Sequence, residues 1–142
     1  MPGKPLTTDD YPLAEKRPEL VRGKRGKSLD EITLSSVLDD TVTMHDLGIT
    51  RLALQQQAEI ARAAGRETLA QNFERAAELV GVPQETIMRV YELLRPGRAQ
   101  SKDELLAAAA DLRFNHGAEK MPAFIEEAAR VYERRGLFKA RY

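Results

Sequence analysis

The sequence lacks cysteine and long apolar runs. With no cysteine among its 142 residues, the chain cannot form disulfides, thiolate metal sites or a cysteine nucleophile, which fits a reducing compartment. The apolar runs are far shorter than the roughly 20 residues that a membrane-spanning helix needs. Asp9 and Asp10 stand where a signal peptide would be apolar. We therefore expect a soluble, cytosolic protein.

The chain also lacks an excess of charge of either sign. Its 22 lysine and arginine residues balance 22 aspartate and glutamate residues, so no global field attracts nucleic acid or an anionic membrane. A zinc site at His45 or His116, the two histidines, would need scattered carboxylates. The neighbours Asp39-Asp40 and Glu126-Glu127 would point about 100° apart on a helix, unlike an acid–base pair. These residues therefore indicate surface charge and no catalytic or metal site.

Residues 66–98 carry the clearest helical pattern. Gly81 can end one helix and Pro83 can begin the next, while Pro96 stops the second. We predict helices over 66–80 and 84–94 that pack as an antiparallel hairpin. The residues expected in its core recur at three- and four-residue spacing: Leu69, Ala70, Phe73, Ala76, Ala77, Val80, Ile87, Met88, Tyr91 and Leu94.

Further helices are predicted on both sides of this hairpin. Ser28 with Glu31, and Ser101 with Glu104, have capping-box spacing and each opens a helix. The first has the apolar residues Leu29, Ile32, Leu34, Val37 and Leu38 and ends at residues 39–41. Thr50 caps a helix through Ala64, and a last helix spans about Pro122 to Arg135. Because no stretch alternates with period two, we predict an all-α fold, a compact bundle of five or six helices.

The first 27 residues differ from the rest of the chain. They hold four of the seven prolines together with a basic cluster, so we predict an extended N-terminal arm, residues 1–27, ahead of a helical domain, residues 28–142. Four apolar residues could anchor this arm on its own surface or on a partner: Tyr11, Leu13, Leu20 and Val21. The alternative is a flexible tail. We expect the arm to order mainly against a partner chain.

Gly26-Lys27-Ser28 resembles the end of a phosphate-binding loop. That motif requires a glycine where this chain has Val21, and no strand precedes it. The residues are better explained as the cap of the first helix.

A helix-turn-helix is a second alternative, spanning residues 73–94. Ala77, Gly81, Ile87 and Val90 have its spacing. The residues that would face DNA are Gln84, Glu85, Thr86 and Arg89. One arginine beside a glutamate is a weak basis for the phosphate contacts that dominate DNA affinity. A small DNA-binding protein therefore stays open as the alternative function.

Several blocks of sequence together resemble a known family. They are DYPLA at 10–14, ITLSSVL at 32–38, NFERAAEL at 72–79 followed by VP, LRPGR at 94–98 and FIEEAARVYERR at 124–135. In this order the chain resembles, from about Asp10 to Leu137, the small (γ) subunit of adenosylcobalamin-dependent propanediol and glycerol dehydratases.

The resemblance implies a subunit of a lyase that converts 1,2-propanediol to propanal, or glycerol to 3-hydroxypropanal, by a radical route. It implies large (α) and medium (β) partner subunits in a dimer of heterotrimers, with adenosylcobalamin held between those two and this chain packed on the large one. No catalytic, cofactor-binding or metal residue follows for this chain, and neither nucleic acid nor membrane is implied. Diol-type relatives often carry an N-terminal extension linked to packaging in bacterial microcompartments, whereas this sequence starts close to DYPLA.

Overall fold

The computed structural model describes residues 3–139, and it is helical throughout apart from turns and loops. No strand forms in this range, where Arg22 and Ser28 make an isolated bridge, so the predicted all-α class is confirmed. The helices are α1 (Leu13–Lys16), α2 (Leu34–Leu38), α3 (Arg51–Ala63), α4 (Glu67–Leu79), α5 (Gln84–Leu94), α6 (Lys102–His116) and α7 (Lys120–Arg134). Short 3₁₀ turns cover Thr8–Asp10, Pro18–Leu20 and Leu29–Glu31.

The predicted helix limits hold where a local cap defines them. Thr50 Oγ1 accepts the backbone N–H of Ala53 at 3.0 Å and begins α3. Ser101 caps α6 by accepting from Glu104 N–H at 3.3 Å. Gly65 ends the α3 region with a φ of 76°, a left-handed angle that glycine adopts freely.

The chain divides into two compact units, Met1–Val80 and Gly81–Tyr142. In the first unit, α4 packs along α3 through small residues that let the helices approach closely: Ala58, Ala61 and Ala70. Leu69 and Phe73 cover this contact and are partly buried. The prediction did not include this contact with α3, because a helical stripe shows which face is buried but not what covers it. The predicted pairing of α4 with residues 84–94 joins the two units and stays a prediction.

The N-terminal arm lies on α3 of its own chain. Leu6 and Leu13 form a cluster with Ile60, against which Leu20 and Val21 pack. The backbone N–H of Leu6 donates to Glu59 Oε2 at 2.9 Å. The arm is not extended as predicted but folds into helical turns, because Pro12 precedes α1 and Pro18 begins the turn Pro18–Leu20. Proline is tolerated at such starting positions, where its missing N–H is not needed.

In the second unit, α6 packs against α7. Three large side chains are completely buried there: Leu105, Leu112 and Ile125. Tyr132 donates its hydroxyl proton to the Leu94 carbonyl at 2.5 Å and so ties α7 to the end of α5.

The prediction of which α5 residues are buried is wrong in part. Val90 is buried, whereas Met88 is 53% exposed and Tyr91 is 59% exposed. Ile87 and Leu94 are partly buried. The buried stripe is rotated from the predicted one, since Val90 and Tyr91 are neighbours that point about 100° apart on a helix.

Candidate functional site

An ion pair between Arg25 and Asp46 joins two loops of the first unit, residues 22–28 and 41–48. Arg25 Nε donates to Asp46 Oδ1 at 2.7 Å and Nη2 donates to Oδ2 at 2.6 Å. This two-point geometry is among the strongest that side chains make. The side chain of Asp46 is fully buried, while that of Arg25 is 46% exposed.

Backbone groups complete the environment of this pair. The N–H of Thr43 donates to Asp46 Oδ2 at 2.8 Å, and Arg25 Nη2 also donates to the Thr41 carbonyl at 3.0 Å. The hydrogen bonds from Arg25 lower the pKa of Asp46 far below its usual value, although burial acts in the opposite direction. A Cβ at Gly23 would lie 2.3 Å from the Asp46 carbonyl oxygen, so the loops touch where only glycine fits.

Polar side chains also fix the backbone between these loops. The Glu31 carboxylate accepts the backbone N–H of Ser28 at 2.7 Å, as the capping spacing predicts. Thr33 and Ser36 make a second cap, with Ser36 N–H donating to Thr33 Oγ1 at 3.1 Å. This second cap divides the predicted single helix over residues 28–38 into the turn Leu29–Glu31 and the short helix α2.

The apolar residues of this segment face outward. Leu34 is 76% exposed, Leu38 75% and Met44 81%, so the apolar residues named for the first helix do not form a buried face within this chain. An element as short as α2, five residues long, has too little surface to bury a full stripe. Residues 29–52 are termed the apolar segment below. The sequence by itself does not reveal this exposure; it shows only that no lysine or arginine occurs between Ser28 and Thr50.

The four predicted interface residues of the arm have different environments. Leu13 is buried in the chain's own cluster, and Leu20 and Val21 are partly buried against it. Tyr11 is 58% exposed. It contributes to two adjoining grooves of about 290 and 280 Å³, both of which also involve Gln57. The role of these four residues in binding a partner stays a prediction, for which Tyr11 is the accessible member.

Groups suited to metal binding are not assembled in the part of the chain that the structure describes. Across residues 3–139, no group of three His, Asp or Glu side chains is placed to hold a metal ion. A cavity of about 680 Å³ beside the start of α4 is lined mainly by surface groups, including Arg66, Glu67 and Arg75. No helix of residues 3–139 is long and apolar enough to cross a membrane.

Two of the groups proposed for nucleotide or DNA contacts are engaged within the chain. The backbone N–H of Ser28, which a phosphate loop would direct at its ligand, donates to Glu31. Arg89, the single basic residue of the predicted DNA-facing set, lies 3.5 Å from the Asp111 carboxylate. Neither alternative gains support from these contacts.

Comparison with known proteins agrees with the family that the sequence blocks resemble. Residues 6–139 match the family model described as dehydratase small subunit. The propanediol dehydratase small subunit of Citrobacter freundii is 50% identical over 130 residues, which cover 92% of this chain and 75% of the relative. That of Salmonella typhimurium is 49% identical over the same shares. The chain therefore belongs to the dehydratase small-subunit family.

Proposed function

We propose that this chain is a non-catalytic subunit of an adenosylcobalamin-dependent dehydratase that converts 1,2-propanediol to propanal and water, or glycerol to 3-hydroxypropanal and water. The observation that carries the proposal is the identity of 50% and 49% with two propanediol dehydratase small subunits over 92% of this chain. The glycerol alternative rests on the family resemblance alone.

A supporting role suits the chemistry of the described residues. In such enzymes the cofactor supplies the radical chemistry, while protein groups bind, orient and exclude water. The cavity beside the start of α4 and the two grooves beside Tyr11 have no histidine in their lining, and the grooves measure only about 290 and 280 Å³. These residues do not fit adenosylcobalamin, so we propose that other subunits hold it.

The partners in this proposal are a large (α) and a medium (β) subunit, arranged as a dimer of heterotrimers, with this chain packed on the large subunit. Membership of a small-subunit family supports larger partners in general. The complex would work in the cytoplasm, either free or inside a protein-shelled microcompartment.

Co-purification tests this proposal. The chain, carrying an affinity tag, is expressed together with the large and medium subunits of a propanediol dehydratase. We expect both partners to be recovered with the tagged chain at constant ratios, and neither with the tag on an unrelated helical protein. Recovery of this chain alone, combined with retention on a duplex DNA column, would favour the helix-turn-helix alternative.

A further inference from the structure

Exposed apolar side chains are concentrated in one part of the described chain. Of the fourteen large hydrophobic side chains exposed within residues 3–139, eight lie between residues 29 and 52. They are Leu29, Leu34, Val37, Leu38, Met44, Leu47, Ile49 and Leu52. Single exposed apolar residues are normal on a protein surface, whereas a concentration of this kind marks an interaction site.

This apolar segment reverses the usual arrangement of polar and apolar groups. Its buried side chains are Val42 and the charged Asp46, while Leu34, Leu38 and Met44 are at least three-quarters exposed. Charged groups are almost never fully buried unless paired, and Asp46 is held by Arg25. The polar interactions thus support the backbone from inside and leave the apolar side chains available outside.

The segment is also ordered before any partner binds. Thr33 caps the start of α2 by accepting the backbone N–H of Ser36. Asp39 follows the end of α2 and accepts the backbone N–H of Thr41 at 2.9 Å. The backbone N–H of Val42 donates to the Ser36 carbonyl at 3.0 Å, which holds the chain after α2 close to that helix. Because little backbone entropy remains to be lost, an interface here would be preorganised.

Charge favours a different partner over a second copy of this chain, although Lys27 lies near both Glu31 and Asp39. The exposed residues Asp30 and Glu31 precede α2, and Asp39 and Asp40 follow it. In a two-fold symmetric contact centred on α2, each surface meets itself, so acidic ends would face acidic ends. A different chain, with an apolar centre and basic groups around it, would complement this surface.

We propose that the apolar segment, residues 29–52, is the surface by which this chain docks on the large subunit of the dehydratase. The inference rests on the proposed function and adds the contact surface to it. The N-terminal arm, by contrast, places Leu13 against its own α3 and leaves Tyr11 as its accessible apolar group. The arm is then a secondary contact at most.

Paired charge substitutions test this surface in the co-expressed complex. Leu34→Glu with Leu38→Glu changes two side chains that are 76% and 75% exposed. The matched control is Met88→Glu with Tyr91→Glu on α5, at 53% and 59% exposure. We expect the first variant to recover at least about tenfold less large subunit per tagged chain, as loss of central interface contacts does, and the control to recover as much as the parent.

Folding and self-association are checked in the same samples. Far-ultraviolet circular dichroism of the recovered tagged chain must match that of the parent; if it does not, Met44→Glu, at 81% exposure, replaces the double variant with the same expectation. Equal recovery of the large subunit by parent and variant overturns the inference, as does equal loss in the α5 control. Loss of self-association alone would assign the surface to a second copy and also overturns it. Failure of the parent itself to recover a large subunit would overturn the proposed function and, with it, this inference.

Discussion

Asp46 shows at the scale of one residue how a charged group can stabilise a segment that has almost no core. Its buried carboxylate accepts two hydrogen bonds from Arg25 and one from the Thr43 backbone. Removing one partner of such a pair leaves the other charge uncompensated. This destabilises the fold far more than replacing both partners with apolar residues. The pair therefore holds the loops 22–28 and 41–48 together, and its loss would release both.

The pH dependence of stability gives a direct test of this pair. Arg25 lowers the pKa of Asp46 in the folded chain, so its contribution is fully present above the unfolded pKa of about 3.9 and is lost as the pH falls further. Asp46→Asn should lower Tm at pH 7, and the difference from the parent should shrink below about pH 3.9. Thermal unfolding followed by circular dichroism measures both.

The matched control for that experiment is Asp30→Asn, at an exposed acidic position of the same segment. We expect it to leave Tm close to that of the parent at both pH values. A difference between Asp46→Asn and the parent that stays constant from pH 7 to pH 3 would contradict the role assigned to the carboxylate charge.

The arm provides a second prediction at this scale. Leu13 is 6% exposed, so Leu13→Ala should destabilise the chain by about 2–5 kcal/mol whether or not a partner is bound. Tyr11→Ala removes an exposed side chain and should leave stability unchanged. Urea unfolding measures stability, and co-purification measures assembly. Weaker assembly in Tyr11→Ala would place the arm at an interface, whereas unchanged assembly would limit the arm to its contact with α3.

At the scale of elements, the helix limits followed from local chemistry while the packing partners did not. Ser101 and Thr50 define helix starts by accepting hydrogen bonds from residues three positions later in the chain. This short spacing can be read directly from the sequence. α4 packs against α3 through Ala58 and Ala61, and the sequence of α4 alone does not indicate this contact. The stripe on α5 was displaced by one residue, because Val90 and Tyr91 are both apolar and only packing selects between them.

The same reasoning explains the failure at residues 28–38. The capping spacing of Ser28 and Glu31 was correct, but a second cap at Thr33 interrupted the helix. The apolar residues of this segment could not be assigned to a buried or an exposed face, because the sequence of one chain does not show which faces another chain covers. Phe73→Ala would lower the free energy of unfolding by about 3–5 kcal/mol if Phe73 were fully buried. Because Phe73 is partly buried in this structure, the loss should be smaller.

The α6 and α7 pair allows a test of packing within one helix. Leu112 is completely buried, while Leu106 is 36% exposed. Leu112→Ala should reduce the free energy of unfolding by about 2–5 kcal/mol, because it leaves a cavity between packed helices. Leu106→Ala removes the same atoms from a partly solvated site and should cost much less. Similar losses in urea unfolding would mean that α6 presents a different face to α7.

At the scale of the whole molecule, the chain combines two helical units with a surface segment that has apolar groups outside. The proposed docking surface would account for the combination, since a subunit can leave uncovered what its complex covers. The sequence alone indicated the family through ordered blocks of residues. The apolar segment could be identified only after the structure had shown that Leu34 and Leu38 are exposed.

Cofactor binding should be a property of the complex and not of this chain. A spectral titration of the purified chain with adenosylcobalamin should show no change beyond dilution, while the complex with large and medium subunits should change the cobalamin spectrum until the cofactor saturates it. Tight binding by the isolated chain would show that its residues hold the cofactor and would contradict the division of roles proposed above.

Aldehyde formation by the reconstituted complex tests the central claim most directly. The large and medium subunits are assayed with adenosylcobalamin and 1,2-propanediol, with and without this chain, and in parallel with glycerol. Because a subunit that docks on the catalytic one supports its active structure, we expect sustained propanal or 3-hydroxypropanal formation when this chain is present and a marked loss when it is omitted. Equal rates with and without the chain, or no aldehyde from either substrate in the complete mixture, would contradict its role as a dehydratase subunit.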